Sequence, residues 1–388
     1  MIAAPMRSDH PRIKHPHNLQ CAPGNGLSRT GNPTRRKNKE EPNDMKHFSM
    51  KTTFGLCATT LLLATACTQE LTDNPAGNAR AISFQTPQAD TRAAVNGSSD
   101  LGNFSVWGWY GDSEQNTDKN VFDGKEIKAP KWTYDGGAQY WIPGKKYNFY
   151  GVYPAGAGSC TQTGTITVDD FDCSKYGLNA VDLMTAVQPG LLGDDAPTVT
   201  MPFKHTLARI TFSAKLAEGL DEKYSLKVNE VALWASNKGT MTQDMSQSGS
   251  QPVWETEPYL KNGDDEGDIN EAYNAYLYQL TANNELINNP IPTGETVLLN
   301  VKGKGDLLVI PQEMDKTRPV LAINYTLSYD GSETSPLWKT YPLRNNTDWT
   351  PGTSLNYTFT IDEDNAYFIV SVGDWEDGNK GNEDIVFE

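Results

Sequence analysis

Histidine and cysteine are scarce in this chain, and basic residues are outnumbered by acidic ones. The 388 residues include five histidines and five cysteines, and 49 Asp and Glu stand against 33 Lys and Arg. Beyond residue 67 the only histidine is His205, which excludes a metal or catalytic centre built from several histidines. His205 follows an apparent strand with no nucleophile-elbow motif beside it, so we expect a structural histidine.

Other signs of catalysis are also missing. No glycine-rich phosphate loop precedes a helical pattern. The acidic run at residues 262–268 departs from EF-hand spacing and indicates a solvated loop. Carboxylates are numerous, but nothing singles out a pair for glycoside hydrolysis. We therefore predict a protein that is not an enzyme and that uses no metal or cofactor.

The charge balance argues against nucleic acid as a partner. Without residues 1–67, the chain keeps 23 Lys and Arg against 45 Asp and Glu, a net charge of about −22. Nucleic-acid phosphates require a basic face, which such a chain does not offer. An acidic, well-solvated surface is typical of an exported protein that resists nonspecific association.

The apolar run at residues 54–66 is too short to span a membrane, which takes roughly 20 apolar residues. It follows Lys51, ends in small residues and stops at Cys67, where the sequence turns polar. Residues 50–67 thus form a predicted lipoprotein signal peptide, with Cys67 as the lipidated residue. The alternative is an ordinary secretory leader with an incidental cysteine. Residues 1–49 are interpreted as a non-native or disordered extension, with the true start at Met45 or Met50.

Two cysteines lie outside the leader and the extension. Cys160 and Cys173 flank a Thr- and Val-rich segment. In an oxidising compartment they could form a disulfide across a hairpin. Two unpaired thiols remain the alternative, because the sequence gives no Cα separation.

Strand-like segments dominate the rest of the chain. Residues 81–86 alternate, with Ile82 and Phe84 on one face, and predict a single strand. From residue 99 onward, short alternating segments separated by Gly, Pro, Asn and Asp predict an all-β fold. About 290 residues of this kind exceed one ordinary domain, so we predict two β-sandwiches, at residues 93–218 and 219–388. A capping-box pattern predicts one helix over 268–280, although 275–280 also alternate as a strand.

Aromatic side chains concentrate in the first predicted sandwich and allow two interpretations. They could form a stacking platform for sugars, but aromatic residues in strands are more often core or cross-strand partners, which is the interpretation we favour. The residues concerned are Trp107, Trp109, Trp132, Trp141 and Tyr150.

The order of several motifs resembles the fimbrillin-like family, the lipoprotein-precursor pilins (type V pili) of anaerobic Bacteroidales-type bacteria. The likeness covers most of residues 60–388. After the leader and Cys67 come the strand and Thr91-Arg92-Ala93. The motifs that follow lie at residues 140–147 (YWIPGKKY), 181–186 (VDLMTA), 203–210 (FKHTLARI), 349–357 (WTPGTSLNY) and 372–375 (VGDW).

The resemblance implies two transthyretin-like β-sandwiches in tandem, with few short helices, in a stalk, tip or anchor subunit of an adhesive pilus. It further implies a lipid, such as palmitate, on Cys67, which anchors the precursor to the outer membrane. A trypsin-like protease would cut after Arg92, with Arg80 as the rival site. The propeptide, residues 68–92, would then leave with Ile82 and Phe84.

The expected partners are other pilin subunits, assembled by donor-strand exchange at the cell surface, and a host glycan or protein. In such an exchange the C-terminal tail of a neighbour, residues 367–372 or 384–388, would fill the vacated groove. The alternative function, from another class, is a surface lipoprotein that binds carbohydrate through one sandwich and never polymerises.

Overall fold

The computed structural model describes residues 80–86, 101–246, 249–256, 276–282, 284–287, 289–301, 304–305, 307–344, 346–375 and 383–386. Nearly every regular element in these ranges is a β-strand, which confirms the all-β prediction. The described exceptions are a four-residue α-helix, α1 (Met314–Thr317), and a 3-10 turn at Gly177–Asn179. The tandem transthyretin-like arrangement stays a prediction.

Nine strands precede residue 207. They are β1 (Phe84–Gln85), β2 (Phe104–Ser113), β3 (Asn116–Ile127), β4 (Lys146–Tyr153), β5 (Ser159–Cys160), β6 (Thr165–Asp172), β7 (Met184–Leu192), β8 (Val199–Thr200) and β9 (Lys204–His205).

Fourteen strands follow among the described residues. The first seven are β10 (Ala208–Leu216), β11 (Tyr224–Ala235), β12 (Lys238–Asp244), β13 (Val253–Thr256), β14 (Tyr276–Thr281), β15 (Ile291–Pro292) and β16 (Thr296–Leu298). The others are β17 (Leu307–Val309), β18 (Val320–Tyr329), β19 (Ser332–Glu333), β20 (Leu337–Pro342), β21 (Thr353–Ile361), β22 (Ala366–Asp374) and β23 (Glu383–Val386).

A five-stranded sheet in the order β3-β2-β4-β7-β9 forms the centre of the N-terminal part. Successive side chains on β2 point to opposite faces, and both faces are buried. Phe104 and Val106 enter one hydrophobic core, whereas Trp107 and Trp109 enter a second, larger one. Gly108 permits this packing, because a Cβ there would lie 2.9 Å from the ring of Phe149. The sheet is therefore covered on both sides.

The C-terminal part contains two six-stranded sheets. One has the order β16-β10-β21-β22-β23 with β17 also on β10, and the other has the order β14-β11-β18-β19 with β15 on β11 and β20 on β18. Strand β10 pairs in parallel with β21 over eight residues. The larger hydrophobic core includes residues from both sheets, among them Phe212, Leu233, Ile323 and Phe359.

Strand pairing does not divide at residue 218, where the sequence placed a domain boundary. Strand β10 lies before that residue but pairs with β16, β17 and β21. Strands β12 and β13 lie after it but continue a four-stranded sheet, in the order β13-β12-β6-β5. The division into two sandwiches at residue 218 stays a prediction.

Two local expectations are not met. The predicted helix over 268–280 is wrong at its C-terminal end, where Tyr276–Thr281 is strand β14, paired with β11, and its earlier residues lie outside those described. Cys160 and Cys173 are both free thiols, so the disulfide is not formed. Cys160 lies opposite Ile166 in the β5-β6 hairpin. That register leaves it seven residues along the strand from Cys173, roughly 20 Å at a 3.3 Å rise.

Within the described ranges, the structure contains no helix of the length and hydropathy that a membrane crossing requires.

Candidate functional site: the strand at residues 80–86

The segment at residues 80–86, called the inserted strand here, contributes two side chains to the smaller hydrophobic core. Ile82 is 2% exposed and Phe84 is 5% exposed, whereas Ser83 and Gln85 face solvent. This alternation is the one that the sequence predicted, because side chains on a strand point to opposite faces in turn. The prediction of a strand here is confirmed by β1 and by a β-bridge between Ala81 and Tyr140.

On one side, the inserted strand bonds to the loop that precedes β4. The backbone N–H of Ile82 donates to the carbonyl of Gln139 (2.8 Å), and the N–H of Trp141 donates to the carbonyl of Arg80 (3.1 Å). The Tyr134 hydroxyl donates to the carbonyl of Ile82 (3.0 Å). Three hydrogen bonds thus fix this edge.

On the other side, the inserted strand runs parallel to β8. The N–H of Val199 donates to the carbonyl of Ser83 (2.8 Å), and the N–H of Met201 donates to the carbonyl of Gln85 (3.0 Å). The amide of Gln85 also donates to the Thr200 hydroxyl (2.8 Å). The segment therefore lies between two stretches of chain and is bonded to both.

The Phe84 ring occupies a pocket made largely of other aromatic rings. Four of them meet it edge-on, with centroids 5.4 to 6.4 Å away. Such edge-to-face contacts are the favoured geometry for aromatic pairs. The four rings belong to Phe104, Phe122, Tyr134 and Phe149.

Removal of the inserted strand would leave an apolar groove with unpaired backbone groups on both rims. The freed groups include the N–H groups of Trp141, Val199 and Met201, which now donate to this strand. Buried or rim backbone groups without partners are costly, and a strand from another chain can satisfy them. The geometry thus suits β-strand exchange.

A second cluster brings together three of the motifs found in the sequence. Nδ1 of His205 lies 2.8 Å from Oδ2 of Asp182, and both side chains are buried. The atoms are close enough to form an ion pair, although the contact is not aligned as a hydrogen bond. The ring of Trp375 stacks on the His205 ring at 3.7 Å, almost parallel. The expectation of a structural histidine is in keeping with this burial.

The backbone around this cluster ties the motifs together. The N–H of Gly352 donates to the carbonyl of Leu207 (2.9 Å), and the N–H of Trp375 donates to the carbonyl of Gly352 (3.0 Å). Gly352 has a φ of +70°, a conformation that favours glycine. Thr206 donates from both its N–H and its hydroxyl to the carbonyl of Leu183. These residues hold chain segments together and form no recognisable reactive centre.

The sequence of this chain matches the model of a known protein family. A family model described as fimbrillin-like matches residues 91–375. The chain belongs to the fimbrillin-like family. This is a structural and adhesive family rather than an enzyme family, and the match confirms the resemblance carried by the sequence motifs.

Several solved structures of bacterial fimbrial and adhesion proteins are similar to this one. A fimbrial protein from Bacteroides vulgatus aligns with a TM-score of 0.51 at 17% identity, covering 77% of this chain and 100% of that chain. A putative cell adhesion protein from Bacteroides uniformis aligns with a TM-score of 0.43 at 14% identity, covering 76% and 98%. A fimbrial assembly protein from Parabacteroides distasonis aligns at 0.39 and 12%, covering 80% and 99%. No curated protein matches the chain.

The two candidate cleavage sites of this fimbrillin-like chain differ in what surrounds them. Arg80 is the first residue of the inserted strand, and its guanidinium donates to the carbonyl of Asp194 (2.7 Å). Its own carbonyl accepts from Trp141, so the peptide bond after it lies in a hydrogen-bonded segment. Arg92 lies outside the described residues, as does the predicted lipidation site, Cys67.

The two candidate donor segments differ in how their strands are paired. Residues 367–372 lie within β22, which is paired with β21 on one side and β23 on the other. A strand in the middle of its own sheet is an unfavourable donor, because its release would expose backbone groups on both sides. The other candidate overlaps β23, an edge strand that pairs only with β22 among the described strands. Residues 387–388 lie outside the described residues.

The aromatic side chains of the first part are core residues. Trp107, Trp109, Trp141 and Tyr150 are buried, and Trp132 is half-buried. The interpretation as core packing is therefore confirmed for the four buried rings, and a surface platform for sugars is not present at Trp107 and Trp109. Sequence reasoning missed Tyr134, whose ring and hydroxyl both contact the inserted strand. Its position after a Trp-Thr step gave no signal of that role.

Proposed function

We propose that this fimbrillin-like protein is a stalk, tip or anchor subunit of a cell-surface pilus that functions in adhesion. Proteolysis releases the inserted strand, and a strand from a second copy replaces it. The observation that carries the proposal is the placement of residues 80–86. The segment fills an apolar groove with two side chains and is hydrogen-bonded on both edges. It behaves as a built-in substitute for a partner's strand.

The hydrogen bonds around Arg80 support Arg92 as the site of cleavage. The carbonyl of Arg80 and the N–H of Ile82 are both bonded to the neighbouring loop, so a protease would first have to pull that segment from its sheet. Proteases bind their substrates in extended, accessible segments. A cut after Arg92 would also detach the whole inserted strand, whereas a cut after Arg80 would leave Ile82 and Phe84 in place.

The C-terminal tail repeats the side-chain pattern of the inserted strand. Residues 82–84 read Ile-Ser-Phe, and residues 385–387 read Ile-Val-Phe. Because alternate residues of a strand share a face, Ile385 and Phe387 can present the same two side chains to the groove as Ile82 and Phe84. We infer that the tail of a second copy is the donor, with Phe387 in the Phe84 pocket.

The proposal also includes export of the precursor to the outer membrane. A lipid on Cys67 would hold the precursor at the outer membrane until a trypsin-like protease cuts it, and release from that anchor would accompany loss of residues 68–92. The same cut would thus free the subunit and open its groove. The alternative is a surface lipoprotein that binds carbohydrate and never polymerises, and the burial of Trp107 and Trp109 removes one of the features that suited it.

The test is limited trypsin digestion of a protein that spans residues 68–388, followed by intact-mass measurement and size-exclusion chromatography. We expect a cut after Arg92 and then assemblies larger than a monomer. Arg92→Ala should remain uncut and monomeric, and Arg80→Ala, the matched control, should be cut and should assemble like the parent. Assembly of intact Arg92→Ala would refute activation by cleavage.

A second variant tests the donor. Phe387→Glu places a charge where the proposal requires an aromatic ring, and a buried unpaired charge is strongly unfavourable. Cleavage after Arg92 should proceed normally, but the cut protein should stay monomeric. Glu388→Gln, one residue along on the alternate face, should assemble like the parent. If Phe387→Glu assembled as well, another segment would be the donor.

A further inference from the structure

A cleft of about 900 Å³, lined by both polar and apolar groups, opens beside the five-stranded sheet. Strands β4 and β7 contribute to its floor, and walls come from the β2-β3 turn and from Met245, Ser246 and residues 249–252 between β12 and β13. The residues that line the cleft differ from those that hold the inserted strand. Side-chain amides and hydroxyls are equally numerous in its lining, and the amides come from Gln115, Asn116, Asn148, Gln162, Gln243 and Gln251.

Several polar side chains of the floor are buried and fixed by hydrogen bonds. The Thr185 hydroxyl donates to Oε1 of Gln243 (2.7 Å), and Nε2 of Gln243 donates to the carbonyl of Ser250 (2.8 Å). Nδ2 of Asn148 donates to the carbonyl of Glu114 (2.9 Å), and its Oδ1 accepts from the N–H of Gly190 (2.9 Å). Side chains held in this way are pre-organised, which lowers the entropic cost of binding a ligand.

These groups keep capacity for further hydrogen bonds. A primary amide has two N–H donors and a carbonyl with two lone pairs, and a hydroxyl that donates once can still accept. Gln243 and Thr185 are themselves buried, so the exposed amides of Gln115, Asn116 and Gln251 are the ones that can offer these groups to a ligand. The cleft thus offers neutral donors and neutral acceptors side by side.

The charges at the cleft exclude other ligand classes. Glu114 and Lys204 balance each other, and the remaining titratable groups on the lining are His205, which faces Asp182, and Tyr150. A phosphate or nucleic-acid ligand would require an excess of basic residues. A metal would require converging His, Cys, Asp or Glu side chains, and no such group of three occurs in the described part of the chain.

A ligand with many hydroxyl groups fits this lining, because each hydroxyl both donates and accepts. The volume lies near the upper end of the 300–1,000 Å³ range of small-molecule sites, which allows more than one sugar ring. Tyr150, although largely buried, also contributes to the lining, and Trp109 meets its ring edge-on with the centroids 5.9 Å apart. We propose that the cleft binds a short neutral oligosaccharide.

This proposal does not rest on strand exchange, since the uncut precursor already contains the cleft. It differs from a stacking platform at Trp107 and Trp109, because recognition comes from amides and hydroxyls. The site would give a pilus subunit, wherever it sits in the fibre, its own adhesive contact. An adhesive chain of this kind would bind through many identical weak sites, and avidity would supply the strength.

The test uses the protein of residues 68–388 on a printed array of neutral and sialylated oligosaccharides. The strongest neutral hit is then titrated by calorimetry. We expect binding to neutral glycans and a loss of at least tenfold in affinity for the double variant Asn116→Ala, Gln251→Ala. Both side chains lie exposed on the cleft walls, so their removal should leave the thermal midpoint unchanged.

Two controls make the outcome decisive. Asn365→Ala removes an exposed amide in the β21-β22 turn, which does not line the cleft, and should bind like the parent. Arg92→Ala should also bind like the parent, so a failure of strand exchange would not affect this result. No glycan binding by the parent, binding that the double variant retains, or binding only to sialylated glycans would overturn the proposal. Selective capture of peptides on a parallel peptide array would overturn it as well.

Discussion

Phe84→Ala should destabilise the precursor by about 3–5 kcal/mol. The ring is 5% exposed and meets four other aromatic rings, so its removal loses both the transfer free energy of the side chain and the contacts around the cavity. Truncation of a buried Phe to Ala costs about this amount in other cores. Since a domain has only about 5–15 kcal/mol of net stability, the effect should be large and easily measured.

The assay is unfolding of the protein of residues 68–388 in guanidinium chloride, followed by tryptophan fluorescence. Ser83→Ala is the matched control from the same strand. Its side chain is exposed and its hydroxyl makes one 3.2 Å hydrogen bond with Thr198, so we expect a loss below about 1 kcal/mol. A loss as small as this for Phe84→Ala would refute the account of the groove.

Cleavage adds a second, sharper comparison. If trypsin cuts after Arg92 and the strand departs, residue 84 leaves with it, and the parent and Phe84→Ala become the same polypeptide. Their unfolding curves should then coincide, although the uncut forms differ. Curves that still differ after release would show that Phe84 remains bound or that the cut lies elsewhere.

Two further predictions concern buried aromatic residues. Trp375→Ala removes the ring stacked on His205 and should lower the free energy of unfolding in guanidinium chloride by about 3–5 kcal/mol. Trp338→Ala, at a ring that is 50% exposed, should lower it by less than about 1 kcal/mol. Equal losses for the two variants would contradict the role of the stack. Burial raises the pKa of Tyr147 to about 12, so the stability it confers is full below the unfolded pKa of about 10 and is lost as pH rises towards 12. Unfolding midpoints measured between pH 9 and 12 should fall less steeply for Tyr147→Phe, and an identical fall would contradict this assignment.

The inserted strand could be predicted from the sequence because its signal is local. Ile82 and Phe84 alternate with polar residues, and the pattern is short enough to leave no helical alternative. The two edges that hold it could not be predicted. They lie about 55 and 115 residues further along the chain, at Gln139 and Val199, and nothing in the periodicity of either stretch indicates its partner.

Residues 132–143 (WTYDGGAQYWIP) alternate on both sides of Asp135-Gly136-Gly137, a pattern that predicts two strands around a turn, and here the turn chemistry misleads. Gly136 and Gly137 both have φ near +90°, and Trp132 has a φ of +54°, so the chain curls instead of forming two paired strands. The only pairings of this stretch in the described structure are single bridges, Lys128 with Thr133 and Ala81 with Tyr140. The backbone of the second predicted strand thus pairs with the inserted strand instead.

The end of the predicted helix illustrates competition between two periodicities. Residues 276–280 fit helical spacing from Ile269 onward, but they also alternate, with Tyr278 and Leu280 buried. Pairing with six residues of β11 decides in favour of the strand. Tertiary contacts of this kind override local propensity, and a short window of sequence cannot predict them.

The order of events in the proposed assembly follows from what each strand would lose. Strand β23 is an edge strand, bonded to β22 through four residue pairs. While the groove is filled, dissociation of β23 from β22 would break these bonds without forming new ones. Once the groove is empty, burial of an Ile and a Phe side chain there contributes about 1.5–3 kcal/mol each, together with new backbone bonds on both rims. Cleavage therefore has to precede exchange, and a precursor with an intact Arg92 should keep its tail on β22 even at high protein concentration.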